Sequence, residues 1–158
     1  MALATSIPDV SPVYEIKFEI DTTPIGNART WAALCAGINN VAEALNEVVN
    51  EYYFLCGGGF GASYITGMHP TYTLTGVRVI GDTAQDYIFG FDHKFGTGDV
   101  RQTHVKLTRT HGETTEIISA NATIRNITDI GGGTTDGSAI SFEISFDGKP
   151  ESGDAWTA

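Results

Sequence analysis

Basic residues are scarce in this chain. Of its 158 residues only 9 are Lys or Arg, against 19 Asp or Glu, and the formal net charge is −10. The basic residues are scattered singly, so they form no patch that could hold a phosphate backbone, which argues against specific nucleic-acid binding. The same acidity suits a channel through which DNA slides without sticking, and it suits equally well a protein that charge merely keeps soluble.

Long apolar runs and closely spaced cysteines are missing as well. Cys35 and Cys56 are the two cysteines, and their spacing matches neither a CxxC pair nor a zinc-ligand set. Residues 1–13 contain no basic residue and do not resemble a secretory leader, and no stretch of about 18 apolar residues could span a membrane. We therefore expect cytoplasmic synthesis with free thiols and no membrane insertion.

Signatures of catalysis and of nucleotide binding are also absent. The four histidines have no metal-ligand spacing, and neither HExxH nor GxSxG occurs. The glycine-rich segment 57–61 lacks the GxGxxG order and the Gly-Lys-Ser/Thr ending of a phosphate loop. Counting carboxylates leaves room for a glycosidase-like pair, but no long, aromatic-lined loops are available to build its cleft. We predict that the chain is not an enzyme and has no catalytic residue, cofactor or metal site.

Charge of either sign is low. Charged residues make up 18% of the chain, below the roughly 25% of an average globular protein. A surface poor in charge but rich in Thr, Ser, Asn and Gly suits a chain that buries much of its exterior against copies of itself. An ordinary β domain whose turns need Gly and Thr would have the same composition.

Alternation of apolar and polar residues is the main pattern that is present. Over 13–20 and again over 139–146, apolar residues alternate with acidic or small polar ones, which predicts strands with one buried and one wet face. The remaining predicted strands cover 30–38, 71–80, 101–109 and 113–127. A tight turn at His111-Gly112 joins the last two.

One short helix is predicted over 83–91. Asp82 and Thr83 are good N-cap residues, and Asp86 follows Thr83 at the spacing of a capping box. The connections between strands are too short for crossover helices, so antiparallel pairing is expected. The predicted fold is therefore all-β: an antiparallel sandwich or partly open barrel of about eight strands, with this helix against it.

A single domain is expected from the length. We predict a flexible N-terminal arm over 1–12, one β domain over 13–150 and a short C-terminal tail over 151–158. Within the domain, apolar residues between 41 and 52 have helical spacing and lie among good helix formers. On its own, this spacing favours a helix over 41–49.

Four stretches, taken in order, resemble a known family. They read WAALCAGINN at 31–40, TGMHPTYTLTGVRVIGDTAQDYIF at 66–89, RQTHVKL at 101–107 and SFEISFDGKP at 141–150. Their order resembles the tail tube (major tail) proteins of long-tailed bacteriophages and prophages, as a pattern over roughly 13–150 rather than a short diagnostic motif. The resemblance implies a structural protein of the virion tail, made in the host cytoplasm and without a catalytic centre.

The resemblance also implies an assembly. Six subunits would form a ring whose inner sheets merge into a β-barrel around a DNA-sized lumen, and the rings would stack into a tube. The implied partners are copies of the chain itself, a tape-measure protein that sets the tube length, tail-tip and terminator proteins, and DNA that passes through the lumen without specific binding.

For residues 39–61 the resemblance implies an alternative to the helix. The segment would be a long excursion, a stacking loop that projects towards the next ring, with glycines 57–59 giving one end freedom to move. The ring-stacking interface would then consist of Val41, Leu45, Val48, Tyr52, Tyr53, Phe54 and Phe60.

Three acidic residues are predicted to face the lumen: Glu15, Glu19 and Glu143. Their apolar neighbours, among them Phe18 and Ile144, alternate with them along the predicted strands and should face the core, so the carboxylates point the other way. Six copies would line the channel with negative charge that repels phosphate. On a monomer the same faces would simply meet solvent.

A second function also fits these patterns. The chain could be a monomeric or trimeric β-sandwich binding module, of virion-decoration or adhesion type, with a ligand-binding face. Electron microscopy of the purified protein distinguishes the two, because only a tube subunit gives six-fold rings or tubes.

Overall fold

A computed structural model describes residues 8–156. Over these residues the strands are β1 (Ile16–Asp21), β2 (Trp31–Ala33), β3 (Ile38–Ala44), β4 (Val48–Tyr53), β5 (Gly61–Gly67), β6 (Thr71–Val77), β7 (Gln102–His111), β8 (Thr114–Thr128), β9 (Ala139–Phe146) and β10 (Glu151–Ser152). The helices are α1 (Thr83–Phe89) and α2 (Phe91–Lys94). Short 3₁₀ turns lie at Val13–Glu15, Leu55–Gly57 and Gly98–Arg101.

One antiparallel sheet of eight strands forms the body of the protein. Its order is β2-β1-β7-β8-β9-β6-β3, with β10 on the side of β8, while β4 and β5 form a separate two-stranded sheet. The prediction of an all-β antiparallel fold is confirmed. Within residues 8–156 no strand pairing joins β2 to β3, so the main sheet stays an open barrel with two free edges.

The main sheet curls so that its two halves face each other across the core. We call β2, β1, β7 and residues 114–120 of β8 wall one, and residues 121–128 of β8 with β9, β6 and β3 wall two. The ring of Phe18 on wall one lies 5.9 Å from that of Tyr72 on wall two. Phe142 is fully buried, and burying a side chain of this size contributes about 1.5–3 kcal/mol. From α1, Phe89 packs edge-on against Phe142 at 5.9 Å.

Antiparallel pairing divides the connections between two ends of the molecule. At one end, the hairpin end, lie the β4–β5 hairpin and the β7–β8 turn. At the other end, the helix end, lie the β1–β2 loop (residues 22–30), α1, α2 and the β8–β9 loop (residues 129–138). The two ends of a subunit are therefore chemically different, which matters for the way copies can stack.

The helix that spacing favoured over 41–49 does not form. Val41 lies in β3, opposite Leu74 of β6, so the first half of the segment completes the main sheet. Asn46 has a φ of 50°, in the left-handed region that a helix cannot contain. The chain then enters β4. Pairing with β6 therefore outweighs the helix propensity of this segment.

Two predicted strands near the start of the chain are shorter than their patterns suggested. The strand over 13–20 starts only at Ile16, because the Glu15 amide donates to the carbonyl of Pro12 (3.1 Å) in a 3₁₀ turn. The strand over 30–38 stops at Ala33, and the chain turns at Gly37 with a φ of 74°.

The predicted helix is confirmed, and its N-cap is Asp82, one of the two predicted cap residues. The helix is divided into α1 and α2 at Gly90. The Asp82 carboxylate accepts from the Gln85 amide at 3.1 Å, while Asp86 reaches back to the Gly81 amide at the same distance. The side chain of Gln85 accepts from the Val79 amide (2.8 Å), which takes the place of a strand partner and ends β6 early.

The two termini are only partly described. Residues 1–7 of the predicted flexible arm lie outside the described residues, but the carboxylate of Asp9 in that arm lies 2.8 Å from Nε2 of His111. The predicted tail contributes β10, which pairs with Ile118 and Ser119 of β8. Over 8–156 neither helix is long and apolar enough to cross a bilayer.

Candidate assembly surfaces

β4, β5 and their connection, residues 48–67, project from the body of the protein; we call them the projecting hairpin. Every residue of β4, and every residue of β5 except Gly67, is exposed. At the base the His69 amide donates to the carbonyl of Leu45, and the side-chain amide of Asn46 donates to the carbonyl of His69, both at 2.9 Å. An isolated two-stranded hairpin is marginally stable in water, so this one is suited to being covered by a partner.

The two faces of the projecting hairpin are apolar in different ways. One carries Tyr52 and Tyr64, with Phe54 stacked on Tyr52 at 6.1 Å and nearly parallel. On the other, the ring of Tyr53 packs against Gly61, where a Cβ would come within 2.8 Å of the ring. Exposed apolar surface of this extent marks an interaction site.

Most of the predicted interface residues belong to this hairpin. Val48, Tyr52, Tyr53, Phe54 and Phe60 are on it and exposed. Leu45 lies at its base and is exposed as well. Val41 is placed differently: it is half-buried against the main core.

The outer face of wall one is covered by the chain that follows β9. Lys106 lies over the ring of Trp31 at 4.5 Å and is ion-paired with Asp154 at 3.0 Å. Trp156 packs on Trp31, with ring centroids 5.4 Å apart. Glu19 lies directly opposite Lys106 in the sheet and is paired with Lys17 at 3.3 Å.

Asp21, at the end of β1, holds the β1–β2 loop through a buried carboxylate. Oδ1 accepts from the amides of Thr23 and Thr30, both at 3.0 Å, and Oδ2 lies 3.0 Å from Nδ1 of His104. Burial raises the pKa of Asp21, but the hydrogen bonds from Thr30, Thr23 and His104 outweigh burial and hold the pKa below its ordinary value. The ionised form is therefore built into the fold.

The outer face of wall two is polar, and the described part of the tail, up to residue 156, does not cover it. Short hydroxyl side chains lie on it in neighbouring strands, where Thr73 is opposite Glu143 and Thr75 is opposite Ser141. Glu143 is ion-paired with Arg125, whose Nε lies 2.6 Å from Oε1, and its second oxygen accepts from Asn126 at 3.2 Å. Charges on this face thus neutralise each other locally.

The three carboxylates predicted to share a lumen do not share one surface of the subunit. Glu19 alternates with Phe18 and Glu143 with Ile144, and these apolar neighbours belong to walls that face each other, so the carboxylates leave the molecule on opposite sides. Glu15 lies in the 3₁₀ turn at the hairpin end, where its carboxylate is 2.7 Å from Nδ1 of His111.

A groove opens at the helix end, between the β1–β2 loop, the two helices and the 3₁₀ turn after α2; we call it the helix-end groove. Its volume is about 540 Å³, within the roughly 300–1,000 Å³ of a ligand pocket. Ile25 (90% exposed), Phe91 (77%) and Val100 (44%) line it with apolar surface. Three carboxylates, those of Asp86, Asp92 and Asp99, complete the lining.

His93 lies in the wall of the same groove and is buried. Its Nδ1 is 2.9 Å from the carbonyl of Ile88, so Nδ1 carries the proton and Nε2 is an acceptor. Nε2 is the buried side-chain polar atom without a hydrogen-bond partner within residues 8–156. Burial lowers the pKa of His93, the hydrogen bond to Ile88 raises it, and nearby Arg101 lowers it, with a net decrease.

Comparison with known proteins connects this fold to solved tails. No family model and no curated protein matches the chain. The tail of an empty GTA particle, determined by helical refinement with C6 symmetry, matches with a TM-score of 0.65 and 13% identity over 92% of this chain and 100% of that one. The SPP1 tail tube matches with the same score and identity, over 92% and 80% of the two chains. The chain has the tail-tube fold.

A third structure with the tail-tube fold, from the virion of a native gene transfer agent, matches with a TM-score of 0.60 and 13% identity over 92% of this chain and 100% of that one. At 13% identity the likeness is one of fold. The surfaces of this tail-tube fold therefore have to be assigned from its own side chains.

Sequence reasoning missed two features of this tail-tube fold. Leu55, Tyr64 and Ile65 extend the exposed apolar set of the hairpin, and the strand-forming types of the last two residues were the available signal for them. The helix-end groove joins Ile25 to Phe91, which are far apart in sequence, so no local pattern could reveal it.

Proposed function

We propose that this chain is the structural subunit of a bacteriophage-type tail tube, in which hexameric rings stack around a lumen that conducts DNA. The observation that supports this most is the shared fold, which extends over 92% of the chain and includes a tail solved with C6 symmetry. The role is structural rather than enzymatic, and the protein resides in the virion tail.

In this proposal wall two faces the lumen. Its outer face is uncovered and rich in short hydroxyl side chains, whereas that of wall one is covered by the tail that carries Trp156. β3 gives wall two a free edge of seven residues, and a free edge can pair with a strand of a neighbouring copy. Glu143 is then the lumen residue of the predicted set, while Glu19 lies on the far side and Glu15 near the hairpin end.

DNA would pass such a wall without sticking, because its charges are paired. Binding to a phosphate backbone depends on cations that can replace counterions. Arg125 is held by Glu143, so it is not available as a phosphate ligand. A neutral, hydroxyl-lined wall therefore replaces the strongly negative one expected from the sequence.

Stacking would cover the projecting hairpin. Because the two ends of the subunit differ, a contact between the hairpin end of one copy and the helix end of the next is heterologous and repeats without closing. A tube built in this way has one uncovered end of each kind, which the tail-tip and terminator proteins would cover. A tape-measure protein would occupy the lumen until DNA replaces it.

Electron microscopy tests the proposal. Concentrated protein is expected to form rings or tubes about 10 nm wide, the approximate width of six domains whose radius of gyration is about 15 Å. A protein that stays monomeric at every concentration, and that also fails to add to tail-tip complexes, would refute it.

A labelling experiment tests which wall faces the lumen. In a Cys35→Ser/Cys56→Ser background, Thr73→Cys on wall two is expected to react in assembled tubes with a small maleimide. The same cysteine should not react with a maleimide carried by a protein too wide for the channel. Lys17→Cys on wall one is the matched control and should react with both, because Lys17 is 59% exposed. Equal reaction of Thr73→Cys with the wide reagent would place wall two on the outside.

A further inference from the structure

We infer that the helix-end groove is the receptor for the tip of the projecting hairpin from a second copy of this chain. The inference rests on the proposed function and adds to it the identity of the surface that receives the hairpin. The tip consists of residues 53–60, which form the end of β4, the 3₁₀ turn at Leu55–Gly57 and the connection to β5.

The first argument is position. The hairpin leaves the body at one end of the strands and the groove opens at the other, as a repeating head-to-tail contact requires. Copies stacked with their strands in the same direction would bring each tip towards the groove of the next copy. The same stack could not bring two hairpins or two grooves together.

The second argument is apolar surface that both sides leave uncovered. At the tip, Phe54 is 61% exposed, Phe60 is 83% exposed and Leu55 is fully exposed. In the groove, Ile25 and Phe91 present comparable surface. A cavity of about 540 Å³ has room for a few such side chains, and burial of this surface from both partners is the main favourable contribution to association.

The third argument is polar complementarity. The margin of the groove offers acceptors in the carboxylates of Asp92 and Asp99, in addition to Asp86, which already accepts from Arg78 and from the Gly81 amide. From 52 to 68 the hairpin contains no charged residue, so no carboxylate of the tip would meet those of the groove. Gly58 and Gly59 can present their backbone amides as donors, because neither has a side chain and nothing within residues 8–156 packs against them. The Gly57 amide and the Tyr53 phenol already donate to the carbonyl of Phe54 and to Glu51.

Cross-linking tests the contact with a cysteine that the tip already carries. Cys56 lies in the tip and is exposed. In a Cys35→Ser background, Ile25→Cys places a thiol in the groove. A short bismaleimide is expected to give a ladder of covalent multimers, since each copy would donate one Cys56 and accept another. The Cys35→Ser parent can give nothing beyond dimers.

A matched control removes the effect of proximity alone. Ile130 lies in the β8–β9 loop at the same helix end, outside the groove, and is 85% exposed. Ile130→Cys in the same background should give no ladder. If the protein forms tubes but the ladder appears with Ile130→Cys and not with Ile25→Cys, the groove is not the receptor, although the tube function stands. If no tubes and no ladder form, both proposals fail.

A second pair of variants measures the energetic role of the groove. A carboxylate at position 25 would be desolvated by the incoming tip, so Ile25→Asp is expected to raise the protein concentration needed for assembly about tenfold or more. Ile130→Asp should change it less than about twofold. Because both positions are exposed, both variants should fold, which circular dichroism checks. An equal response of the two variants would overturn the inference.

Discussion

A subunit whose residues 47–67 are replaced by a single glycine is expected to fold but not to form tubes. The base of the hairpin is already closed by the hydrogen bonds between Leu45, Asn46 and His69, so Asn46, the new glycine and Met68 can form a three-residue hairpin connection. No side chain of 47–67 belongs to the buried core. The free energy of unfolding should therefore change by no more than about 1 kcal/mol.

Loss of assembly is the large effect of this deletion. Burying one aromatic side chain contributes about 1.5–3 kcal/mol, so removing several raises the concentration needed for assembly by at least about a hundredfold. Sedimentation velocity and negative-stain images should show only monomers or single rings where the parent forms tubes. Thermal unfolding followed by circular dichroism checks that the body has folded.

Point variants distinguish the effect of the hairpin on assembly from the effect of losing exposed apolar surface elsewhere. Leu55→Asp in the tip should weaken assembly, whereas Ile80→Asp, at another largely exposed apolar position of the body (80%), should not. Hydrogen exchange adds a second measurement: 48–67 should exchange fast in the free subunit and slowly in the polymer, while β1 and β9 stay protected in both. Tubes formed by the deleted subunit would show that the hairpin is dispensable.

The sequence predicted the strands in which apolar and polar residues alternate regularly along the strand itself. β9 is the clearest case, since the alternation over 139–146 assigns Phe142 and Ile144 to the buried face, where they lie. The helix prediction for 41–49 was wrong for a physical reason. The apolar residues belong to two strands that are separated by the left-handed Asn46, and they fall at helical spacing by coincidence. Only the pairing of Val41 with Leu74 decides between the two structures, and that contact is long-range.

The candidate surfaces depended still more on long-range packing. Strand alternation directs Glu19 and Glu143 away from the core, but the curl of the sheet determines that they emerge on opposite sides. Likewise, the buried state of Asp21 arises from the backbone of the β1–β2 loop and from His104 on β7. No spacing in the sequence indicates that an acidic residue at the end of β1 will become the most buried polar residue of that strand.

Asp21→Ala is expected to destabilise the subunit strongly and to damage the helix-end groove. The carboxylate is fully buried, and its removal leaves the amides of Thr23 and Thr30 without their acceptor and His104 without its partner. Breaking a buried pair of this kind costs about 3–5 kcal/mol, a large part of the roughly 5–15 kcal/mol that holds a domain folded. Chemical denaturation measures the loss.

Two controls accompany this variant. Asp147→Ala removes an exposed carboxylate that accepts from Thr123 at 2.6 Å, and it should cost no more than about 1 kcal/mol. Asp21→Asn keeps an oxygen in the place of Oδ1 and should lose less stability than the alanine variant. If Asp21→Ala is as stable as Asp147→Ala, the carboxylate does not hold the loop.

The pH dependence has a definite sign. The pKa of Asp21 is lower in the folded protein than in the unfolded chain, so its contribution to stability is complete above the unfolded value of about 3.9 and is lost as the pH falls through the folded value. The parent should therefore lose stability below about pH 4 more steeply than Asp21→Asn, which has no proton to bind there. Identical acid unfolding curves would contradict this assignment.

Assembly connects Asp21 to the groove. The loop that its carboxylate holds carries Ile25, which lines the groove. In Asp21→Asn, at a temperature where the variant is still folded, a loosened loop should lower the yield of the Ile25→Cys to Cys56 cross-link and weaken tube formation in parallel. If tubes form normally while the cross-link is lost, the loop is not part of the stacking contact. If both persist unchanged, the loop holds its position without the charge.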